Sequence, residues 1–198
     1  MAIKAVIFDM GGVLLDAVNY KYFKKMAGLT NTDKKTIKKF IVSLLVQYES
    51  GAMTNHEFES KIANKFRIKE SEVKWSIFLS NNGKAKKNMV SLAKKLSKEY
   101  KTACITNVDK SRYQCAKSLI DFSIFRFVLG SCYFGVSKPD KRIYLEALRR
   151  LKVKPSEAIF IDDMEENVKG ARNAGLNAVH FKGIKGLKRD LKRYGIKV

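Results

Sequence analysis

One short segment near the start of the chain, VIFDMGGVL over residues 6–14, constrains the fold most. Its first three residues are β-branched or aromatic, and they run into Asp9 and then a pair of glycines. Such a run predicts a buried parallel strand. Asp9 is then expected at the carboxyl end of that strand, where open α/β sheets bind ligands. Taken alone, the segment is equally consistent with a helix-capping or turn-forming role for Asp9.

The second half of the chain alternates strand-like and helix-like segments. Helices are predicted over 85–100, 110–120, 141–151 and 164–174, and strands over 102–106, 125–129, 158–161 and 178–181. This alternation predicts an α/β fold with a doubly wound parallel sheet. Polar residues end three of the strands: Asp9, Thr106-Asn107 and Asp162-Asp163. Because the carboxyl ends of parallel strands share one edge, we expect these residues to converge on one cleft.

Residues 17–80 have helical periodicity and predict a small inserted α-helical domain. Phe40, Ile41, Leu44, Leu45 and Tyr48 fall on one helix face, and Gly51 supplies a stop signal. Thr54 and Glu57 have capping-box spacing, which predicts the start of the next helix. We therefore predict an α/β core formed by residues 1–16 and 81–198, a helical cap formed by residues 17–80, and a return hinge at Asn81-Asn82-Gly83.

Composition restricts the function classes. The 198 residues suit one domain with an insertion, no run is long enough to span a membrane, and no signal peptide is recognised. Three scattered cysteines fit reduced thiols, so we expect a cytoplasmic protein. The net charge of +21 attracts phosphorylated ligands or nucleic acid. Since the basic residues are spread along the chain without a recognition module, nucleic-acid binding has weak support.

Four segments in this order resemble the motifs of the haloacid dehalogenase-like (HAD) hydrolase superfamily, with a Rossmann-like core. They are Phe8-Asp9-Met10-Gly11-Gly12-Val13, Ile105-Thr106-Asn107, Lys138-Pro139-Asp140, and Phe160-Ile161-Asp162-Asp163 with the following helix. The inserted segment around Tyr48-Glu49-Ser50-Gly51 is similar to the cap of the subgroup that includes sugar phosphatases and the N-terminal phosphatase domain of epoxide hydrolase. The match covers essentially the whole chain.

This resemblance implies a phosphatase that acts on a small phosphorylated metabolite. Asp9 would be the nucleophile that forms an aspartyl-phosphate. Mg²⁺ would be held by Asp9, the backbone carbonyl of Gly11 and the Asp162-Asp163 pair, in which Asp163 is the better match. Thr106, Asn107 and Lys138 would bind the phosphoryl oxygens, with Lys138 also a catalytic residue.

One position departs from the family pattern. Most phosphatases of the superfamily have a second aspartate, a general acid and base, where this chain has Gly11. Its absence leaves two alternatives: a metal-free haloacid dehalogenase, or a catalytically weak homologue that binds a phosphorylated ligand or nucleic acid. The carboxylate pair favours the phosphatase over the dehalogenase. The substrate and the oligomeric state are not indicated by the sequence.

Overall fold

The computed structural model of the chain describes residues 2–16, 19–75, 77 and 83–198. Five strands form one sheet: β1 (Ala5–Phe8), β2 (Lys101–Thr106), β3 (Val128–Gly130), β4 (Ala158–Asp162) and β5 (Asn177–His180). Their order is β3-β2-β1-β4-β5, and every neighbouring pair is parallel. The segment that begins at Val6 is therefore the central strand, and the predicted α/β class with a parallel sheet is confirmed.

The helices of the described residues fall into two groups along the chain. Those between β1 and β2 are α1 (Asn19–Thr30), α2 (Lys34–Glu49), α3 (Asn55–Phe66), α4 (Glu70–Val73) and α5 (Lys87–Leu96). Those after β2 are α6 (Lys110–Leu119), α7 (Ser131–Phe134), α8 (Lys141–Leu151), α9 (Glu165–Asn173) and α10 (Ile184–Arg193). Of these, α7 and α10 have no counterpart among the predicted elements.

Helices cover both faces of the sheet. Alternate residues of β1 point to opposite faces, so each face presents apolar side chains that a helix can bury. Val6 and Phe8 pack in one apolar cluster with residues of α5 and α10. Ala5 and Ile7 pack in another with residues of α8 and α9. This division confirms the doubly wound arrangement.

Helices α1 to α4 have an apolar cluster of their own, built largely from aromatic rings. Tyr48 of α2 stacks on Phe58 of α3 with ring centroids 4.1 Å apart, and Tyr22 of α1 packs edge-on against Trp75 at 4.7 Å. The predicted capping box is present, since the Thr54 and Glu57 side chains bond each other's backbone amides. We refer to these four helices as the cap helices.

The two chain segments that join the cap helices to the sheet run side by side. Leu15 forms an antiparallel bridge with Ala85, and the Asp16 amide donates to the Lys84 carbonyl at 2.9 Å. The predicted boundaries at residues 17 and 80, and Asn81-Asn82 of the hinge, lie outside the described residues, so the domain division stays a prediction. Across the described residues, no helix is long and apolar enough to cross a membrane.

Candidate active site

The carboxyl edge of the sheet brings together polar residues from distant parts of the chain. Asp9 follows β1, Thr106 ends β2, and Asp162 ends β4 with Asp163 next. Carboxylate oxygens of Asp9, Asp162 and Asp163 lie within 4.8 Å of one another. The predicted convergence of these strand ends therefore occurs in the structure, although the role of each residue is a separate question.

Lys138 lies between two of these carboxylates. Its Nζ donates to Asp9 Oδ1 at 2.5 Å and to Asp162 Oδ2 at 2.7 Å, and its side chain is 1% exposed. The ammonium also lies 5.4 Å from the centroid of the Phe160 ring. A buried charge held in this way is fixed in position, because leaving either carboxylate without a cation is costly.

Asn107 holds the backbone of Lys138. Its Oδ1 accepts from the Lys138 amide at 2.8 Å, and its Nδ2 donates to the Lys138 carbonyl at 2.9 Å. The peptide bond from Lys138 to Pro139 is cis. One hydrogen of the Asn107 amide is thus engaged in placing Lys138, which adds a positioning contact to the substrate-binding role predicted for Asn107.

The adjacent Asp162 and Asp163 have different surroundings. Asp162 is fully buried and accepts hydrogen bonds from Lys138, from Asn167 Nδ2 at 3.1 Å to each oxygen, and from the Met164 amide at 2.8 Å. Asp163 is partly exposed, and no other residue in the described ranges donates a hydrogen bond to its carboxylate. Asp162 therefore anchors Lys138, while the carboxylate of Asp163 is available to a ligand.

The site concentrates negative charge. Burial raises the pKa of Asp9 to about 8; the Lys138 ammonium opposes this shift, and the charge of Asp162 adds to it. Burial lowers the pKa of Lys138, but the charges of Asp162 and Asp9 more than offset this and leave it raised. Burial and the charge of Asp162 raise the pKa of Asp163. The charges of Lys138 and Lys86 oppose the shift at Asp163. Three carboxylates still share this edge of the sheet, a concentration of negative charge that a bound cation would relieve.

The glycine pair after Asp9 fits a cation site. Gly12 has φ of +77°, and a Cβ there would lie 2.0 Å from Asp163 Oδ2, so only glycine allows the close approach of this carboxylate. A Cβ at Gly11 would meet nothing within 4 Å. Oxygen ligands from carboxylates and a backbone carbonyl are those that Mg²⁺ prefers. The residues present therefore fit a hard divalent cation.

A cleft and a smaller pocket, both lined by described residues, open at this edge of the sheet. A cleft of about 500 Å³ opens beside Asp163 and is lined by Gly12, Lys86 and Lys182. A smaller pocket of about 80 Å³, which we call the Gly11 pocket, is lined by Gly11, Thr106, Asn107, Arg112 and apolar side chains. The predicted substrate residues Thr106 and Asn107 therefore face the Gly11 pocket.

Arg112 is a residue of this region that the sequence reasoning did not single out. Its Nε donates to Asp109 Oδ2 at 2.6 Å, and its Nη2 donates to Glu49 Oε1, at the end of α2, at 2.7 Å. Burial raises the pKa of Glu49, although Arg112 opposes the shift. Burial lowers the pKa of Arg112, but the charges of Glu49 and Asp109 leave it raised. The sequence held one local signal for the position of Arg112: Asp109 caps α6, the helix that carries Arg112.

A comparison of the sequence with known families identifies one that covers most of the chain. A family model described as haloacid dehalogenase-like hydrolase matches residues 3–175. The chain belongs to this family. The HAD resemblance is thereby confirmed, and with it the prediction of a hydrolase.

One solved structure and one curated relative resemble this chain over most of its length. A HAD family enzyme of Bacteroides thetaiotaomicron, solved as a magnesium complex, superimposes with a TM-score of 0.77 at 19% identity, covering 96% of this chain and all of that one. At this identity, the likeness shows the fold alone. Sesquiterpene phosphatase astK of Aspergillus oryzae is 26% identical, over 90% of this chain and 89% of its own length.

A further relative is much longer than this chain. Acyl-CoA dehydrogenase family member 10 of Mus musculus is 29% identical over 89% of this chain, which spans only 18% of the mouse protein. Among the first seven curated relatives that it matches, the chain spans 12–34% of their length. The activity of the whole protein is therefore a matter for proposal.

Proposed function

We propose that this HAD hydrolase is a Mg²⁺-dependent phosphatase that cleaves a small phosphorylated metabolite through an aspartyl-phosphate on Asp9. The observation that carries the proposal is the cluster of Asp9, Asp162 and Asp163, in which the ammonium of Lys138 bonds the first two. Such an excess of carboxylates suits a site that binds a cation, and a cation together with a lysine suits a phosphoryl group.

In this proposal Asp9, Asp163 and the backbone carbonyl of Gly11 would hold Mg²⁺. When bound, the ion would offset the charge of the carboxylates and of the phosphoryl oxygens. Asp163 is preferred to Asp162 because the oxygens of Asp162 already accept four hydrogen bonds. Asp162 instead keeps Lys138 beside the nucleophile.

The chemical steps assign a task to each residue. An Asp9 oxygen forms a bond to phosphorus while the bond from phosphorus to the leaving-group oxygen breaks, and water then cleaves the aspartyl-phosphate. Lys138 and the Thr106 hydroxyl donate to the phosphoryl oxygens. With glycine at position 11, no side chain there protonates the departing oxygen. We therefore expect faster turnover of substrates whose leaving groups depart without protonation, such as anomeric, acyl and aryl phosphates.

The two alternatives have less support. A metal-free dehalogenase has no use for the carboxylate of Asp163 beside the nucleophile. In this chain that carboxylate lies so close to Gly12 that a Cβ there would collide with it. A binding protein without catalysis has no chemical need for Asp9, Lys138 and Asp163 together. We accordingly propose that the partner is a phosphorylated small molecule and not nucleic acid. We also propose a cytoplasmic location.

The decisive experiment measures hydrolysis of para-nitrophenyl phosphate by the wild-type chain, with Mg²⁺ and with chelator, beside Asp9→Asn. We expect hydrolysis that chelator abolishes and Mg²⁺ restores, with loss of at least about four powers of ten in Asp9→Asn. Peptide mapping after a rapid acid quench should find the phosphoryl group on Asp9. Hydrolysis that chelator does not affect, or that Asp9→Asn retains, would refute the proposal.

A further inference from the structure

The guanidinium of Arg112 is held from two sides. The Asp109 carboxylate, in the loop before α6, accepts from Nε at 2.6 Å, and the Glu49 carboxylate, at the end of α2, accepts from Nη2 at 2.7 Å. The Arg112 side chain is 18% exposed and that of Glu49 is 13% exposed. Because a guanidinium is planar, these two contacts fix the direction of its third nitrogen, Nη1.

Arg112 is part of the wall of a pocket. Arg112 lines the Gly11 pocket together with Thr106 and Asn107, the residues assigned to phosphoryl binding. None of the described residues accepts a hydrogen bond from Nη1. The pocket opens beside Gly11, the position from which most HAD phosphatases reach the leaving group with a carboxylate. Arg112 thus supplies a fixed donor, unused by the described residues, in the wall of the pocket beside Gly11.

The charge around Arg112 determines which acceptor it suits. One guanidinium already faces two carboxylates, so the group carries no excess positive charge with which to attract another anion. An uncharged oxygen, such as a hydroxyl or a carbonyl, accepts a hydrogen bond from Nη1 without adding negative charge.

The dimensions of the pocket limit the leaving group. Its volume is about 80 Å³, and its other walls include the apolar side chains of Met10, Leu15, Ala116 and Leu119 and one further acidic residue, Asp16. It therefore encloses a compact and partly apolar leaving group.

We propose that Arg112 determines substrate specificity, and that the substrate is a phosphate monoester whose compact leaving group carries an uncharged hydroxyl or carbonyl oxygen bonded to Arg112 Nη1. This assignment rests on the proposed phosphatase function. A purely structural role, in which Arg112 only ties α2 to α6, makes a different prediction, because it affects all substrates alike.

The test uses phenyl phosphate, 3-hydroxyphenyl phosphate and 3-carboxyphenyl phosphate, which share one ring and have closely similar leaving groups. With Mg²⁺, we expect the wild-type kcat/KM for the hydroxyl ester to exceed that for phenyl phosphate by about ten- to hundredfold, and the carboxyl ester to gain nothing. Equal values for the hydroxyl and phenyl esters, or preference for the carboxyl ester, would overturn the assignment.

Variants then separate recognition from structure. In Arg112→Met and Arg112→Lys, the ratio between the hydroxyl and phenyl esters should fall to about one, since a single lysine nitrogen cannot reproduce the three-sided donor. Arg189→Met, on the exposed face of α10, is the matched control and should keep the wild-type ratio. Loss of activity on both esters in equal proportion, with the ratio unchanged, would overturn the assignment.

The wild-type measurement keeps the assignment falsifiable even where a variant fails to fold. If the wild-type chain hydrolyses none of the three esters with Mg²⁺, the proposed function itself fails, and the assignment fails with it. If it hydrolyses all three without distinguishing them, only the assignment fails.

Discussion

The carboxyl edge of the sheet and the cap helices are stabilised by different interactions. At the sheet edge, Asp9, Lys138 and Asp162 are buried charges that hold one another, and Asn107 and Asn167 hold them in turn. The cap helices instead pack aromatic rings against one another, among them Tyr48, Phe58 and Trp75. A change at the sheet edge should therefore affect the chemistry, whereas a change in the cap helices should affect local stability first.

Among the described residues, polar contacts join the two regions at the end of α2. Ser131 Oγ donates to the Glu49 carbonyl at 2.5 Å, and Arg112 bonds the Glu49 carboxylate. The carbonyl of Cys132 lies against Gly51, where a Cβ would be 3.1 Å away. The end of α2 and the following turn thus carry the connection between the cap helices and the sheet edge.

The largest effect is expected at Gly11, where the sheet edge has room for a side chain. Gly11→Asp introduces an acid and base beside the nucleophile, since a Cβ there meets nothing within 4 Å. Hydrolysis of alkyl phosphates should rise by about a hundred- to ten-thousandfold, with a smaller dependence of rate on leaving-group pKa. Steady-state kinetics over a series of alkyl and aryl phosphates checks this.

Gly12→Asp is the matched control for that prediction. Its Cβ would collide with Asp163 at 2.0 Å, at a φ of +77° that disfavours any residue with a side chain. Mg²⁺-dependent hydrolysis should fall in Gly12→Asp. An unchanged leaving-group dependence in Gly11→Asp would show that the family's acid and base cannot act in this site.

The next effect concerns the buried charges of the sheet edge. Lys138→Met leaves Asp9 and Asp162 without their cation, so we expect a loss of about 3–5 kcal/mol in the free energy of unfolding, together with loss of activity. Urea unfolding followed by far-UV circular dichroism measures it. Lys141→Met, on the exposed first turn of α8, should leave stability within about 0.5 kcal/mol of wild type. A stable Lys138→Met chain would contradict the structural role of the pair.

The corresponding test of the cap helices uses the only tryptophan, Trp75, which is buried among them. Phe58→Ala removes a ring 5.7 Å from Trp75 and should cost about 3–5 kcal/mol in cap stability. The tryptophan-fluorescence midpoint in urea should fall, while amide-exchange protection of β4 persists. In Phe125→Ala, beside Phe8 in the core, the amide-exchange protection of β4 should fall while the tryptophan-fluorescence midpoint persists. Coincident loss by both probes in both variants would show that the two regions unfold as one unit.

A smaller effect concerns cation binding at the sheet edge. Mg²⁺ should stabilise the wild-type chain by about 2.7 kcal/mol at a hundredfold excess over its Kd, and Asp163→Asn should abolish this gain. Because burial raises the pKa of Asp9 to about 8, protons compete with the ion below that pH. The gain should therefore increase as the pH rises toward 8, as thermal unfolding with and without chelator would show. A gain that Asp163→Asn retains would exclude Asp163 as a ligand.

The smallest predicted effect concerns one helix end in the cap. Thr54→Ala removes the capping box of α3 and should lower cap stability by about 1 kcal/mol, as read from Trp75 fluorescence. Ser118→Ala, on the exposed end of α6, should leave that signal unchanged. Equal shifts in the two variants would mean that Trp75 does not report on the cap helices alone.

Much of the fold was predictable because its signals are local. The apolar run before Asp9 gave β1, and the predicted helix over 141–151 is α8 residue for residue. The third strand was less well predicted: Phe125 is apolar but caps a short 3₁₀ turn, and β3 begins only at Val128. Its burial comes from packing against Phe8, which periodicity does not reveal. The sequence analysis missed α10, in which Gly186 and the lysines resemble a loop, and α7, which is only four residues long.

The sequence by itself determined the parallel α/β class, the capping box at the start of α3, and the set of residues at the strand ends. Each of these features depends on near neighbours in the chain or on the order of the strands. Only the tertiary structure separated Asp162, which is saturated with hydrogen bonds, from Asp163, which is available. It alone brought Glu49 to Arg112 across 63 positions of the chain. The different surroundings of two adjacent carboxylates depend on three-dimensional packing, and so does an ion pair between residues far apart in the chain. The linear sequence carries no local signal for such packing.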